Sequence, residues 1–118
     1  VKMAKRKLGL YFDKNGVEIS MQEMAALRAS EEYSTIRRTV LPNGSLVSTV
    51  WLGIDHGYQS PVPIVFETMS FKRGESGEID WGGVHSNRYA TEEEAIKGHE
   101  EIVKLMMEEI PPRSIDLT

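Results

Sequence analysis

Asn87-Arg88-Tyr89-Ala90-Thr91-Glu92-Glu93-Glu94-Ala95-Ile96-Lys97-Gly98-His99-Glu100-Glu101-Ile102-Val103 is the stretch whose reading decides the fold. Thr91 and Glu94 read T-x-x-E, a capping box: the threonine oxygen accepts from a first-turn N–H and the glutamate reaches back to the cap's own N–H. Glu92, Glu93 and Glu94 crowd the first turn, where the positive end of the helix dipole favours them. Pro111-Pro112 is the expected stop, since proline has no N–H to give and clashes with the preceding turn. At helical spacing Ala95, His99, Ile102, Met106 and Ile110 fall on one stripe, flanked by Ile96, Val103 and Met107. Glu93–Lys97 and Glu100–Lys104 are i,i+4 pairs on the other face. A helix with one apolar stripe must lie on something, and the chain before it is rich in strand formers.

His99 stands in the middle of that stripe. In the structural reading it is a neutral core histidine, hydrogen-bonded to a backbone carbonyl or to a carboxylate from the sheet. In the functional reading it is a ligand or proton-handling group at the helix–sheet seam. Gly98 costs the helix about 1 kcal/mol relative to alanine. Either it is simply tolerated or another backbone, or a bound group, comes close.

Working outward, residues 33–41 and 46–54 are β-rich and flank Asn43-Gly44, the strongest short-range hairpin signal. With Asn43-Gly44 as a two-residue loop, Val40 faces Val47, Arg38 faces Thr49 and Ile36 faces Trp51. That register sends Thr39, Leu41, Leu46, Val50, Leu52 and Ile54 to the core side. It leaves Ile36, Arg38 and Trp51 as a mixed surface, either a partner platform or a half-covered sheet face. Residues 64–71 read as the next strand, with Glu67 sharing a face with Val65, Met69 and Phe71. Residues 84–90 make a short last strand carrying His85, Asn87, Arg88 and Tyr89 into the helix.

The connections carry polar candidates. Asp55 and His56 sit at a strand exit, where loop residues on a rigid element are common sites of function. Residues 72–83 hold four glycines in twelve and read as a mobile loop. Trp81 within it must settle on the sheet or on a partner subunit. At the other end, residues 7–12 read as a strand, Asp13-Lys14-Asn15-Gly16 as a turn, and residues 17–19 as a short strand pairing back. Ser20 and Glu23 form a second capping box, opening a short helix over 21–29 that needs docking to persist.

The fold expected is therefore α+β: a meander of four to five antiparallel strands with the C-terminal helix on one face and a short N-terminal helix. One domain spans 1–118, with a basic arm at 1–6 and a tail at 111–118. Hydrophobic residues make up 40% and charged residues 27% of the 118, the composition of an ordinary globule. There is no cysteine, so thiolate chemistry and disulfides are excluded. No apolar run reaches the roughly 18 residues of a membrane span, and a cytoplasmic protein with no membrane association is expected.

Net charge is −4, but Lys2, Lys5, Arg6 and Lys7 concentrate positive charge at the start. The rest has ten basic against eighteen acidic side chains. An acidic body argues against nucleic acid as the main partner, because phosphate binding needs a basic surface. No nucleophile elbow, phosphate loop or H-E-x-x-H is present. The histidines, Asp55 and Glu67 match no standard metal spacing, so no metal and no cofactor are expected. Arg38, Trp81, Asn87, Arg88 and Tyr89 are the residue types that hold an anionic aromatic ligand by charged hydrogen bonds and stacking.

Three ordered blocks, Val47-Ser48-Thr49-Val50-Trp51-Leu52-Gly53-Ile54-Asp55-His56, then Phe66-Glu67-Thr68-Met69, then Arg88-Tyr89-Ala90-Thr91-Glu92-Glu93-Glu94-Ala95 with Gly98-His99, resemble a family of small, mostly uncharacterised proteins of tailed bacteriophages and prophages. The likeness covers about residues 47–103. It implies a phage accessory protein acting in the bacterial cytoplasm and brings no catalytic mechanism with it. The expected function is binding: inhibition of a bacterial defence or host component, or sequestration of a small nucleotide-like signal. The binding residues expected are Arg38, Trp51, Asp55, His56, Trp81, Asn87, Arg88, Tyr89 and His99, in a homo-oligomer. The alternatives are a metal- or histidine-dependent enzyme using His56, His99 and Glu67, and a structural or assembly factor.

Overall fold

The structure, a computed structural model, describes residues 9–74 and 76–110. The expected basic arm, the first two residues of the first expected strand, the double-proline stop and the tail lie outside them. Helix α1 (Met21–Ala29) and the single turn α2 (Glu31–Ser34) precede strands β1 (Thr35–Val40), β2 (Leu46–Trp51), β3 (Phe66–Phe71) and β4 (Ser86–Tyr89). Helix α3 (Glu92–Glu109) closes the described chain. The strands pair antiparallel in the order β1-β2-β3-β4, a plain meander, and α3 lies across it. This is the α+β architecture expected from the patterning.

Both capping boxes form. Thr91 Oγ1 accepts from the Glu94 N–H at 3.1 Å while Glu94 Oε1 accepts from the Thr91 N–H at 3.1 Å. Ser20 and Glu23 do the same for α1. Alpha-3 buries Ala95, Gly98, His99, Ile102 and Met106, four of the five residues of the expected stripe with Gly98 added; the fifth, Ile110, is the half-buried C-cap. Alpha-1 buries no residue fully and is docked by half-buried Met24 and Leu27 and by Arg28, whose Nη1 donates to the Leu52 carbonyl at 2.8 Å.

The β1–β2 register differs from expectation by one residue. Val40 pairs with Leu46, Thr39 with Val47, Arg38 with Ser48 and Arg37 with Thr49. The loop is Pro42-Asn43-Gly44, closed by the Leu41 N–H donating to the Ser45 carbonyl at 2.8 Å and the Gly44 N–H to the Leu41 carbonyl at 2.8 Å. Gly44 sits at φ +85°, so the left-handed residue ends a three-residue turn instead of filling a two-residue one. Because the side-chain period is two, that single step inverts β2. Val47, Thr49 and Trp51 face α3 and are buried, whereas Leu46, Ser48 and Val50 face away.

An irregularity between Thr35 and Arg37 turns Ile36 inward as well, so it packs on the core beside Trp51. Residues 31–34, the last two of them read as strand, form α2 instead, because Ser30 Oγ caps the turn through the Tyr33 N–H. The expected N-terminal strands reduce to bridges, Tyr11 with Ile54 and Phe12 with Glu18, leaving four strands.

The core has two apolar clusters. One joins Phe12, Trp51, Val65, Phe66 and Ala95; the other joins Leu41, Val47, Ile102 and Met106. Between them lies a polar band. Alpha-3 covers only one face of the sheet, and the residues alternating with the buried set point to the opposite face.

Candidate functional site

The polar band is built from three strands and α3. His99 is 1% exposed, with Nε2 2.8 Å from Thr39 Oγ1 and Nδ1 2.7 Å from Thr49 Oγ1. Thr49 Oγ1 lies in turn 2.5 Å from Thr68 Oγ1 on β3. A neutral imidazole donates from one nitrogen and accepts at the other, so hydroxyls, which do both, satisfy it completely. Burial holds the His99 pKa below its ordinary value, the Arg37 guanidinium lowers it further, and Glu100 opposes them. The partners are hydroxyls, not the carbonyl or carboxylate expected from sequence. Chemically the band can hold an uncharged ring and fix the register of three strands beneath α3.

Gly98 shows why it is glycine. A Cβ there would overlap the Tyr89 ring, which lies against α3 from the edge strand. The close approach is that of a side chain. The Tyr89 hydroxyl is buried and has no hydrogen-bond partner among the described residues.

The other expected site residues scatter. Trp51, expected on a surface with Arg38, is 1% exposed; its Nε1 donates to the Phe12 carbonyl at 3.1 Å and its ring meets Tyr33 edge-on at 4.9 Å. The register step put it in the core and removed the expected Trp51/Arg38 surface. Asp55 Oδ1 accepts from the Gly57 and Ile64 N–H groups at 2.7 and 2.9 Å, folding the loop, while His56 is exposed beside it. Asn87 lies on the helix side of edge strand β4, opposite Thr68, and is exposed. Arg88 points away from α3 and pairs through Nε with Glu67 Oε2 at 2.9 Å.

Glu67 and His99 are thus on opposite faces of the sheet, and the His56/His99/Glu67 constellation does not assemble. No group of three His, Asp or Glu side chains placed to hold a metal occurs among the described residues. Surface clefts among the described residues include two of several hundred Å³. One, of about 470 Å³, lies between Lys14-Asn15-Gly16, Val62-Pro63 and the start of α3; the Thr91 and Glu94 N–H groups there are engaged in the capping box, and Glu92 lines it. The other, of about 400 Å³, puts Arg38 among Glu31, Glu32 and Thr35.

What remains is the sheet face that α3 leaves uncovered. By register, Val40, Leu46 and Phe71 stand in one row across the strands. Trp81 lies on Phe71, ring centres 5.2 Å apart and planes at 59°, and is 68% exposed. Val40 is 66% exposed. The next row holds Arg38, Ser48, Met69 and Ser86, and beyond it Val50 stands next to the Glu67–Arg88 pair.

No protein-family model, curated protein or solved structure matches this chain. Sequence reading had found Arg38, Trp81 and Arg88 of this face but missed Val40, Leu46, Met69 and Phe71. It also missed Thr39, Thr49 and Thr68. Alternating Thr49 and Thr68 in apolar strands was the available signal for the band; it becomes legible only with the register.

Proposed function

We propose that this protein acts by binding a protein partner through the uncovered face of its sheet, as an accessory protein of phage or prophage origin directed at a bacterial defence or host component. The observation that carries the binding reading is the row Val40, Leu46 and Phe71 capped by exposed Trp81, on a sheet whose other face is already filled by α3. An apolar strip with polar surroundings on one side of a small domain marks an interaction surface. The phage setting rests on the three sequence blocks alone.

Capture of a small nucleotide-like signal is less well supported, because Trp81, Asn87 and Tyr89 do not converge on one cleft. The enzyme reading loses its constellation, since Glu67 and His99 are separated by the sheet. The test is site-specific photocrosslinking in bacterial cells with p-benzoylphenylalanine placed at Ser48 on the open face or at Lys104 on the outer side of α3. A protein adduct from Ser48, absent from Lys104 and suppressed by Trp81→Ser, is the expected result. Equal labelling from both positions, or none from Ser48, would overturn the proposal.

A further inference from the structure

We infer that Asn15 is a site of self-modification: the Gly16 backbone nitrogen displaces its side-chain amide, leaving aspartate and isoaspartate at position 15. The reaction consumes only water. The Gly16 nitrogen forms a bond to Asn15 Cγ and gives up its proton to solvent, while the bond from Cγ to the amide nitrogen breaks and that nitrogen leaves as ammonia. Water then opens the succinimide ring at one carbonyl or the other. A glycine in the following position exposes the attacking nitrogen, because no side chain shields it.

The chain has three asparagines, and two of them precede glycine, Asn15-Gly16 and Asn43-Gly44. The third, Asn87, precedes Arg88, whose side chain covers the nitrogen. Both Asn-Gly pairs stand in the same three-residue turn with a left-handed last residue. The Asp13 N–H donates to the Val17 carbonyl at 2.9 Å and the Gly16 N–H to the Asp13 carbonyl at 3.1 Å, the same two bonds that Leu41 and Gly44 make in the other loop. The glycines have φ +79° and +85°. Backbone geometry therefore favours neither pair, and the surroundings decide.

Asn43 is held. Its Oδ1 accepts from the Ser45 N–H at 3.0 Å, and Arg73 lies against Gly44 and donates from Nε to its carbonyl at 3.0 Å. The loop also joins two strands already paired within the sheet. Swinging Cγ onto the Gly44 nitrogen has to break the bond to Ser45, which costs free energy. In the other turn Asp13 does that work: its Oδ1 accepts from the Asn15 and Val17 N–H groups, both at 2.9 Å. The Asn15 side chain is left exposed, with no hydrogen bond among the described residues. No heavy atom stands within 4 Å of where a Gly16 Cβ would be. The turn is anchored one residue earlier, where the Lys14 N–H donates to the Tyr33 hydroxyl at 3.0 Å, and its flanks pair through one bridge, Phe12 with Glu18. A short exposed turn with so few ties opens locally at little cost. Each conversion adds a negative charge to the cleft that Asn15 shares with Thr91 and Glu92.

The test is timed incubation of the full chain in mildly alkaline buffer, once folded and once unfolded in guanidinium chloride. Peptide mapping with electron-transfer mass spectrometry then counts converted asparagine at each position and separates aspartate from isoaspartate. In the folded chain Asn15 should convert at least fivefold faster than Asn43. In guanidinium chloride the two rates should come within about twofold, because each then depends on its Asn-Gly pair alone. Equal rates in the folded chain, or faster conversion of Asn43, would overturn the inference. So would a preference for Asn15 that persists unchanged on unfolding, since sequence and not structure would then set it. An Asn15 that stays intact while the unfolded chain is consumed would overturn it as well.

Discussion

Thr49 Oγ1 meets two partners at once, His99 on α3 and Thr68 on β3, and the chemistry of the core follows from that position. Because burial depresses the His99 pKa, the unfolded chain binds a proton at higher pH than the folded one. Where the unfolded state holds more protons, stability rises with pH. The contribution is therefore complete above the ordinary histidine value of about 6.5 and is lost as pH falls from there through the folded value. Urea midpoints between pH 5 and 8 should show that decline, His99→Gln should flatten it, and His56→Gln should leave it in place. A decline that survives His99→Gln would assign it elsewhere. Gly98→Ala puts a methyl into the Tyr89 ring. Overpacking of that kind costs about 1–3 kcal/mol, against about 1 kcal/mol gained in helix propensity. A net loss of stability that Tyr89→Ala in the same chain largely relieves is the outcome expected from a double-mutant cycle.

Among the elements, the β1–β2 hairpin decides most. Gly44 at φ +85° lets a three-residue loop close, and that loop, not the strands, fixes which residues of β2 meet α3. Gly44→Val should lower stability by about 1–2 kcal/mol, since a Cβ is crowded in the left-handed region, while Gly44→Asn should lose much less. Denaturant titration of the two variants separates this effect from loss of loop contacts. Thr91→Ala removes one half of the α3 capping box and should cost about 1 kcal/mol. Alpha-3 was readable almost to the residue because its caps, acidic first turn and stripe are all local in sequence. The hairpin's existence was equally readable; its register was not. Asn43-Gly44 suits a two-residue loop as well as the second half of a three-residue one, and both leave an alternating strand.

At the scale of the molecule the two tryptophans part: Trp51, expected on a surface, is core, whereas Trp81 rests on the sheet, one of the two placements expected of it. Trp51 is walled in by Phe12, Tyr33 and Phe66, and Trp51→Ala should cost about 3–5 kcal/mol. Trp81 is 68% exposed on Phe71, so Trp81→Ser should move stability by no more than about 0.5 kcal/mol while abolishing the crosslink from Ser48. Thermal melts of both variants beside the crosslinking result test fold and function separately. A large destabilisation by Trp81→Ser would make the loop a core element and remove the partner face.

Local chemistry in the sequence determined the α+β class, both capping boxes, the buried stripe of α3 with His99 at its centre, and the meander of strands. It did so because caps, turns and periodicity involve residues a few positions apart. Which side of β2 is core, what satisfies His99, and the separation of Glu67 from His99 were decided only in the tertiary structure. Those depend on a one-residue choice of register between strands, and a chain of alternating side chains carries two self-consistent answers until α3 and the sheet meet.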